Sequence, residues 1–204
     1  MTSVAKHPHA AAIRIQLRRN LLLDSLPEAA WTELEPMLSV IDRRKGDLLE
    51  CQGAISMEQY FILDGILKRV VSNAEGKEMI LRFASEQDFD TSYAAWRLGT
   101  PIPFSIRAVT PVRAATLGME EWVEFIERFP LLKRRFEFEV MKLMSEVMAH
   151  TITLHLLDAP GRVARFIRKH GPLVERLPKK ELAAYLNLSP ETLSRLKQRG
   201  KISV

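Results

Sequence analysis

Between about residues 40 and 117 the chain is cut into short apolar runs by Gly46, Gly53, Gly65 and Gly76. "YFILDGILKRVVSNAEGKEMILRF" is the clearest stretch, with runs rich in Ile, Leu, Val and Phe and "NAEG" as a turn between two of them. Short strands at such spacing predict a β-barrel or roll. Just before it, "LPEAAWTELEPML" has helical spacing with a proline soon after its start, which predicts a helical cover on the roll. After the roll the period changes. "MEEWVEFIERF" reads as a short helix, and Pro130 separates it from a long helix over about residues 131 to 156. At about 1.5 Å per residue that helix would be roughly 39 Å long.

Along the long helix Phe136, Val140, Leu143, Val147, His150, Leu154 and Leu157 fall at alternating steps of four and three. This is the spacing of a coiled-coil seam, and it is assigned to a second subunit, with packing on the chain's own roll as the alternative. Met141, Met144 and Met148 form a neighbouring stripe, so one stripe faces the roll and the other a partner. His150 reads as a polar position that sets register, with a pH or ligand switch as the alternative.

The remaining segment starts at "LDAPGRVARFIRKHGP". Asp158 is placed to cap a helix, Pro160 suits its first turn, and Gly171-Pro172 is expected to end it. In "KKELAAYLNLSPETLSRLKQRG", Leu182, Ala183 and Leu186 give one short helix a buried face, and Leu193 and Leu196 do so for a second. Ala183 is small enough for two helices to cross closely. Asn187 tolerates the left-handed backbone of a tight turn, Ser189 can cap the second helix, and Pro190 fits its start. Together these predict a helix-turn-helix.

Charge sharpens the picture. The 204-residue chain carries a net charge of +5. Residues 158–204 hold eleven Lys and Arg against four acids, a net +7, which leaves −2 for the rest. A basic module on a slightly acidic body is the footprint of nucleic-acid binding, although from charge alone an anionic membrane surface would read the same. No uncharged apolar run approaches the roughly 18 residues of a membrane span, so no membrane partner is expected. The N-terminus lacks the apolar core of a signal peptide, which predicts a cytoplasmic protein. His7 and His9 are assigned to a mobile N-terminus. The single cysteine, Cys51, excludes an intrachain disulfide and a cluster held by four cysteines of one chain. Cys51 lies in a strand-like apolar run and is expected to be buried and inert, with redox sensing as the alternative. No Gly-rich phosphate loop with a lysine, HExxH or GxSxG is present, so no enzyme activity and no metal site are expected.

The phrases "RKGDLLECQGAISMEQYFILDGILKRVVSNAEGKE", "APGRVARFI" and "KKELAAYLNLSPETLSRLK" resemble the Crp/Fnr superfamily of bacterial transcription regulators. The resemblance covers roughly residues 20 to 200 and implies an α+β chain in three parts. These are a cyclic-nucleotide-binding-like β-roll sensor with its helical cover (1–129), a dimerisation helix (130–157) and a C-terminal winged helix-turn-helix domain (158–204). It implies a homodimer on double-stranded DNA, working with RNA polymerase. Glu191, Ser194 and Arg195 match the family's base-reading pattern, which implies a palindrome resembling TTGAT-N4-ATCAA. The chemistry agrees, since arginine bonds bidentately to guanine and glutamate accepts from cytosine N4. Steps of three and four put the three residues on one helix face, with a helix-dipole role for Glu191 and plain surface charge for Arg195 as the alternatives. Lys179, Lys180, Ser189, Thr192, Lys197 and Arg199 are assigned to DNA phosphates, with plain surface charge as the alternative for the basic ones.

Two departures matter. The family's cyclic-nucleotide cassette has a Gly-Glu pair and, after it, an Arg-Ser pair for the phosphate. Here those positions hold Thr91 and Ser92, then Ile102 and Pro103, so cyclic AMP is not expected to bind. Arg97 and Arg107 are the nearby substitutes. Haem would need Cys51, His150 or His155 as ligand, and none sits in a specific motif, so the effector is not legible. The short "KQRGKISV" after the recognition helix keeps open a dimeric ligand- or protein-binding module whose DNA-binding part has degenerated. A small-molecule-binding domain without regulatory output is a third reading.

Overall fold

The computed structural model describes residues 2–198, the side chain of Lys197 excepted. The chain divides into two compact units, the first running to Arg69 and resuming over Phe83–Leu143, the second comprising Val70–Arg82 and the chain from Met144 onward. The division inside the long helix differs from the sequence-based boundaries at 130 and 158.

The first unit begins with β1 (Thr2–Ser3), α1 (Ala10–Leu17) and α2 (Glu28–Leu34). The strands β2 (Ser39–Arg43), β3 (Leu48–Glu50), β4 (Glu58–Asp64) and β7 (Phe89–Thr91) follow, while β5 (Leu67–Ser72) leaves this unit after Arg69 and β6 (Glu78–Ala84) re-enters it at Phe83. Then come α3 (Tyr93–Leu98), β8 (Ser105–Ala108), β9 (Val112–Gly118) and α4 (Met119–Glu127). Two sheets result, ordered β1-β2-β9-β4-β7 and β3-β8-β5-β6. Phe61 and Tyr60 of β4 pair with Ala115 and Thr116 of β9, and small residues there leave room for the aromatic core. Between β4 and β5 the chain turns at Gly65, φ +89°, where a Cβ would lie 2.1 Å from the Pro111 carbonyl oxygen. Only glycine fits that approach.

Three expectations need correction in this unit. The N-terminus is ordered, because Thr2 and Ser3 pair with Val40 and Ser39 and Val4 is fully buried; His7 and His9 stand in a turn, with the His9 amide donating to His7 Nδ1 at 3.1 Å. Cys51 is exposed, because β3 ends at Glu50 and the chain turns outward there. The helix α3 interrupts a stretch that the apolar runs announced only as strands.

The long helix is α5 (Pro130–Leu156). Phe136 is completely buried, edge-on to Trp122 at 5.4 Å and to Tyr93 at 4.9 Å. Val140 and Leu143 are buried within the single chain as well. These three seam residues are therefore already covered by their own chain, whereas Val147 and Leu154 are half-buried and Leu157 exposed. The apolar side chains that α5 leaves exposed are Leu131, Phe138, Met141, Met144, Met148, Ile152 and Leu156. An α-helix has two distinct apolar stripes here, and spacing alone assigns neither to a neighbour.

In the second unit the "NAEG" turn forms as expected, with Asn73 Oδ1 accepting from the amides of Glu75 and Lys77. α6 (Ala159–Val174) is capped by Asp158, whose side chain accepts from the Gly161 amide at 2.9 Å. It breaks where Gly171-Pro172 is expected to end it: His170 leaves the helical region (φ −131°, ψ 33°), and a second short helical stretch then runs to Val174. The proline ring clashes with the preceding turn, which forces the break. α7 (Lys179–Tyr185) and α8 (Pro190–Gln198) complete the described chain. The expected wing falls on residues outside those described.

Candidate nucleic-acid interface

α7 and α8 are held by a small apolar core and a tight turn. Leu182, Ala183, Leu186 and Leu193 are buried, joined by Val163 and Phe166 of α6. Ala183 is fully buried, which leaves no room for a larger side chain. After α7 the amides of Asn187 and Leu188 donate back to the carbonyls of Ala184 and Ala183 at 3.1 and 2.9 Å. Asn187 itself takes φ +52°, the left-handed conformation that closes a helix C-terminus. From α6, Arg162 Nη1 donates to the Leu186 carbonyl at 2.8 Å, clamping the turn. Ser189 Oγ accepts from the Thr192 amide at 3.1 Å and so caps α8. A buried face, a left-handed turn and a cap thus fix the start and the pitch of α8.

On α8 the structure leaves Glu191 and Arg195 exposed and Ser194 half-buried, while Leu193 is turned to the core. Hydrogen bonds from its own backbone amide and from Ser189 hold the Glu191 carboxyl below its ordinary value, so it stays an acceptor. Arg195 Nη2 lies 3.4 Å from Thr192 Oγ1, a contact that ties the guanidinium to the first turn. Ser189 is exposed and Thr192 half-buried, with their hydroxyls 3.2 Å apart at the helix start. Lys179 and Lys180 are exposed at the start of α7. The side chain of Lys197 and all of Arg199 lie outside the described residues. An exposed acceptor and an exposed guanidinium one turn apart can address a base pair in the major groove.

In the roll, the cassette positions are occupied by the protein's own bonds. Thr91 and Ser92 are buried; the Thr91 carbonyl accepts from Arg69 at 2.9 Å, and Ser92 Oγ donates to Glu50 at 2.6 Å. Ile102 is buried and bridged to the 51–54 turn, with its amide donating to the Ala54 carbonyl and its carbonyl accepting from Gly53. Pro103 has no amide to offer. Arg97 is exposed and Arg107 half-buried. The buried guanidinium of the roll is instead Arg69, paired with Asp90 and stacked 3.9 Å from the Phe104 ring. Glu50, which also accepts from the Glu58 amide, is pushed up to about 7 by burial against these hydrogen bonds.

Sequence reasoning missed Arg69, Asp90 and Glu50. A signal for Arg69 was there: a charge in the middle of "ILKRVV", where strand alternation points it inward. Of the haem-ligand candidates, Cys51 and His155 are exposed and His150 is buried against Tyr185. No helix among the described residues is long and apolar enough to cross a membrane.

Residues 41–129 match the cyclic nucleotide-binding domain family model. The nitrogen fixation regulation protein FixK of Bradyrhizobium diazoefficiens is 25% identical over 92% of this chain and 84% of its own length. The cAMP-activated global transcriptional regulator CRP of Pasteurella multocida is 21% identical over 67% of this chain and 70% of its own. Among solved structures, the c-di-GMP-responsive global regulator CLP of Xanthomonas campestris superposes with a TM-score of 0.70. It is 14% identical, and the match covers 85% of this chain and 92% of that one, a likeness of fold.

Proposed function

Since the chain belongs to the Crp/Fnr superfamily of transcription regulators, we propose that it is a sequence-specific DNA-binding regulator that works as a homodimer. The observation that carries this reading is α8: capped by Ser189, set by the left-handed turn at Asn187, and presenting Glu191 and Arg195 to solvent. Residues 1–129 serve as sensor, 130–157 as dimerisation helix and 158–204 as DNA-binding domain. Glu191, Ser194 and Arg195 read bases; Lys179, Lys180, Ser189, Thr192, Lys197 and Arg199 hold phosphates. The site is a palindrome of the type TTGAT-N4-ATCAA, with the two recognition helices about 34 Å apart, one turn of duplex. The exposed stripe of Phe138, Met141, Met148 and Ile152 on α5 forms the subunit contact, taking the place of Phe136, Val140 and Leu143. The regulator acts in the cytoplasm with RNA polymerase. It answers to an effector other than cyclic AMP or is constitutively active, because Ile102 and Pro103 offer a cyclic phosphate no donor.

Selection from random duplexes with purified full-length protein tests this reading. Enrichment of the stated palindrome is expected, and Arg195→Ala should cost roughly 1–3 kcal/mol and relax selectivity at the guanine. An unrelated consensus overturns the half-site assignment. No enrichment across salt and effector conditions favours a module that has lost DNA binding.

A further inference from the structure

The start of α3 hangs on buried charge. Ser92 stands just before the first turn of α3, yet its hydroxyl does not cap the helix. It is spent on Glu50 of β3, at 2.6 Å. The other Glu50 carboxyl oxygen accepts from the Glu58 amide of β4 at 2.8 Å. One carboxyl, on a residue only 6% exposed, therefore ties the end of β3 to β4 and to α3. The residue after Ser92 reaches the long helix. Tyr93 sets its ring edge-on to Phe136 of α5 at 4.9 Å and donates its hydroxyl to Glu137 at 3.2 Å. A run of contacts from the interior of the roll to α5 is thus complete within the first unit.

The charges around Glu50 balance only while it is neutral. β7 brings Asp90 and β5 brings Arg69, and these two are paired with each other. β4 brings Glu58 and Tyr60, whose hydroxyl donates to the Leu49 carbonyl at 3.3 Å. On β8 the register partner of Glu50 is Ile106, and Arg107 lies opposite Leu48. α3 adds Arg97, which is exposed. Two buried carboxyl groups therefore share one buried guanidinium. An ionised Glu50 leaves this set one negative charge in excess, away from water. Burial pushes Glu50 up to about 7, against the Ser92 and Glu58 hydrogen bonds, with Asp90 adding to the shift and Arg69 opposing it. Burial outweighs the bonds, so the carboxylate is relieved only by hydration. Of the elements tied to it, β4 is paired along both edges and β3 along one, whereas α3 is a six-residue helix outside the ladders. The helix is the part that can give.

We propose that Glu50 is a proton switch inside the roll: when it ionises, the start of α3 moves off the roll to let water reach the carboxylate, and Tyr93 carries the shift to α5. In the neutral form the tie holds. The Glu58 amide can only donate, so the carboxyl proton belongs on the oxygen facing Ser92, and the serine accepts where it otherwise donates.

The test is ¹⁹F NMR of the full chain labelled with 5-fluorotryptophan, titrated from about pH 5 to about pH 9. Trp96 of α3, stacked on Tyr93 at 6.2 Å, is the reporter, and Trp96→Phe identifies its signal. A one-proton shift of that signal with its midpoint at about 7 is expected. Glu50→Gln, which stays neutral, should abolish the shift and hold the signal at its acid-side position. Ser92→Ala should move the midpoint upward, because the serine hydroxyl favours the carboxylate. A Trp96 signal that stays flat in the wild type overturns the proposal, as does an unchanged titration in Glu50→Gln. If Glu50→Gln fails to fold, Ser92→Ala decides, and an unchanged midpoint there overturns it too. The readout lies in the roll and involves no DNA, so failure here is distinguishable from failure of the DNA-binding reading.

Discussion

Replacing Met141 and Met148 with glutamate tests which stripe of α5 joins two subunits. These side chains are 62% and 61% exposed in the single chain. Full burial of such a side chain is worth about 1.5–3 kcal/mol, so covering the exposed part contributes roughly 1–2 kcal/mol each. Two-fold symmetry brings two from each subunit, or about 4–7 kcal/mol in the dimer. At about 1.4 kcal/mol per decade, the double variant should dimerise some 10³- to 10⁵-fold more weakly, before the repulsion of the new carboxylates is added. Sedimentation velocity across a concentration series reads this directly, and the melting temperature of the monomer should hold. Leu143→Glu should behave differently. Leu143 is 5% exposed within one chain, so a charge there costs fold stability, by about 3 kcal/mol or more, rather than acting on association alone. A methionine double variant that stays dimeric within tenfold of wild type refutes this reasoning. So does a Leu143→Glu protein that is monomeric with an unchanged melting curve.

Asn187→Ala should destabilise the C-terminal unit by about 1 kcal/mol, because φ is +52° there, while Asn187→Gly should be neutral or slightly stabilising in thermal melts. Calorimetric titration with cyclic AMP or cyclic GMP should show no saturable heat, and micromolar affinity for either would contradict the assignment of Ile102 and Pro103. Glu50 titrates at about 7 in the folded chain against an ordinary 4.5, so folding retains a proton that the unfolded chain gives up. Its contribution to stability is therefore full below pH 4.5, declines as pH rises towards 7 and levels off above it. Glu50→Gln should flatten that slope in denaturant titrations across this window; an unchanged slope would place its origin elsewhere.

The roll and the helix-turn-helix were legible in the sequence because each is specified locally. Glycines mark turns such as the one at Gly65, "NAEG" encodes its own hydrogen bonds through Asn73, and Ser189-Pro190 writes a helix start in two residues. The left-handed turn was readable from Asn187 for the same reason, since the preference lies in one side chain and its own backbone. Four features were decided only when distant segments met. Which stripe of α5 is buried depends on where Trp122 and Tyr93 place their rings around Phe136, and both stripes satisfy a helical period. Cys51 is exposed because β3 stops one residue before it. Arg69 finds Asp90 twenty-one residues away, and His150 finds Tyr185 thirty-five residues away. Local spacing fixes the period and the caps of an element; burial and the pairing of buried charge are properties of three-dimensional neighbours, and one strand or helix does not carry them.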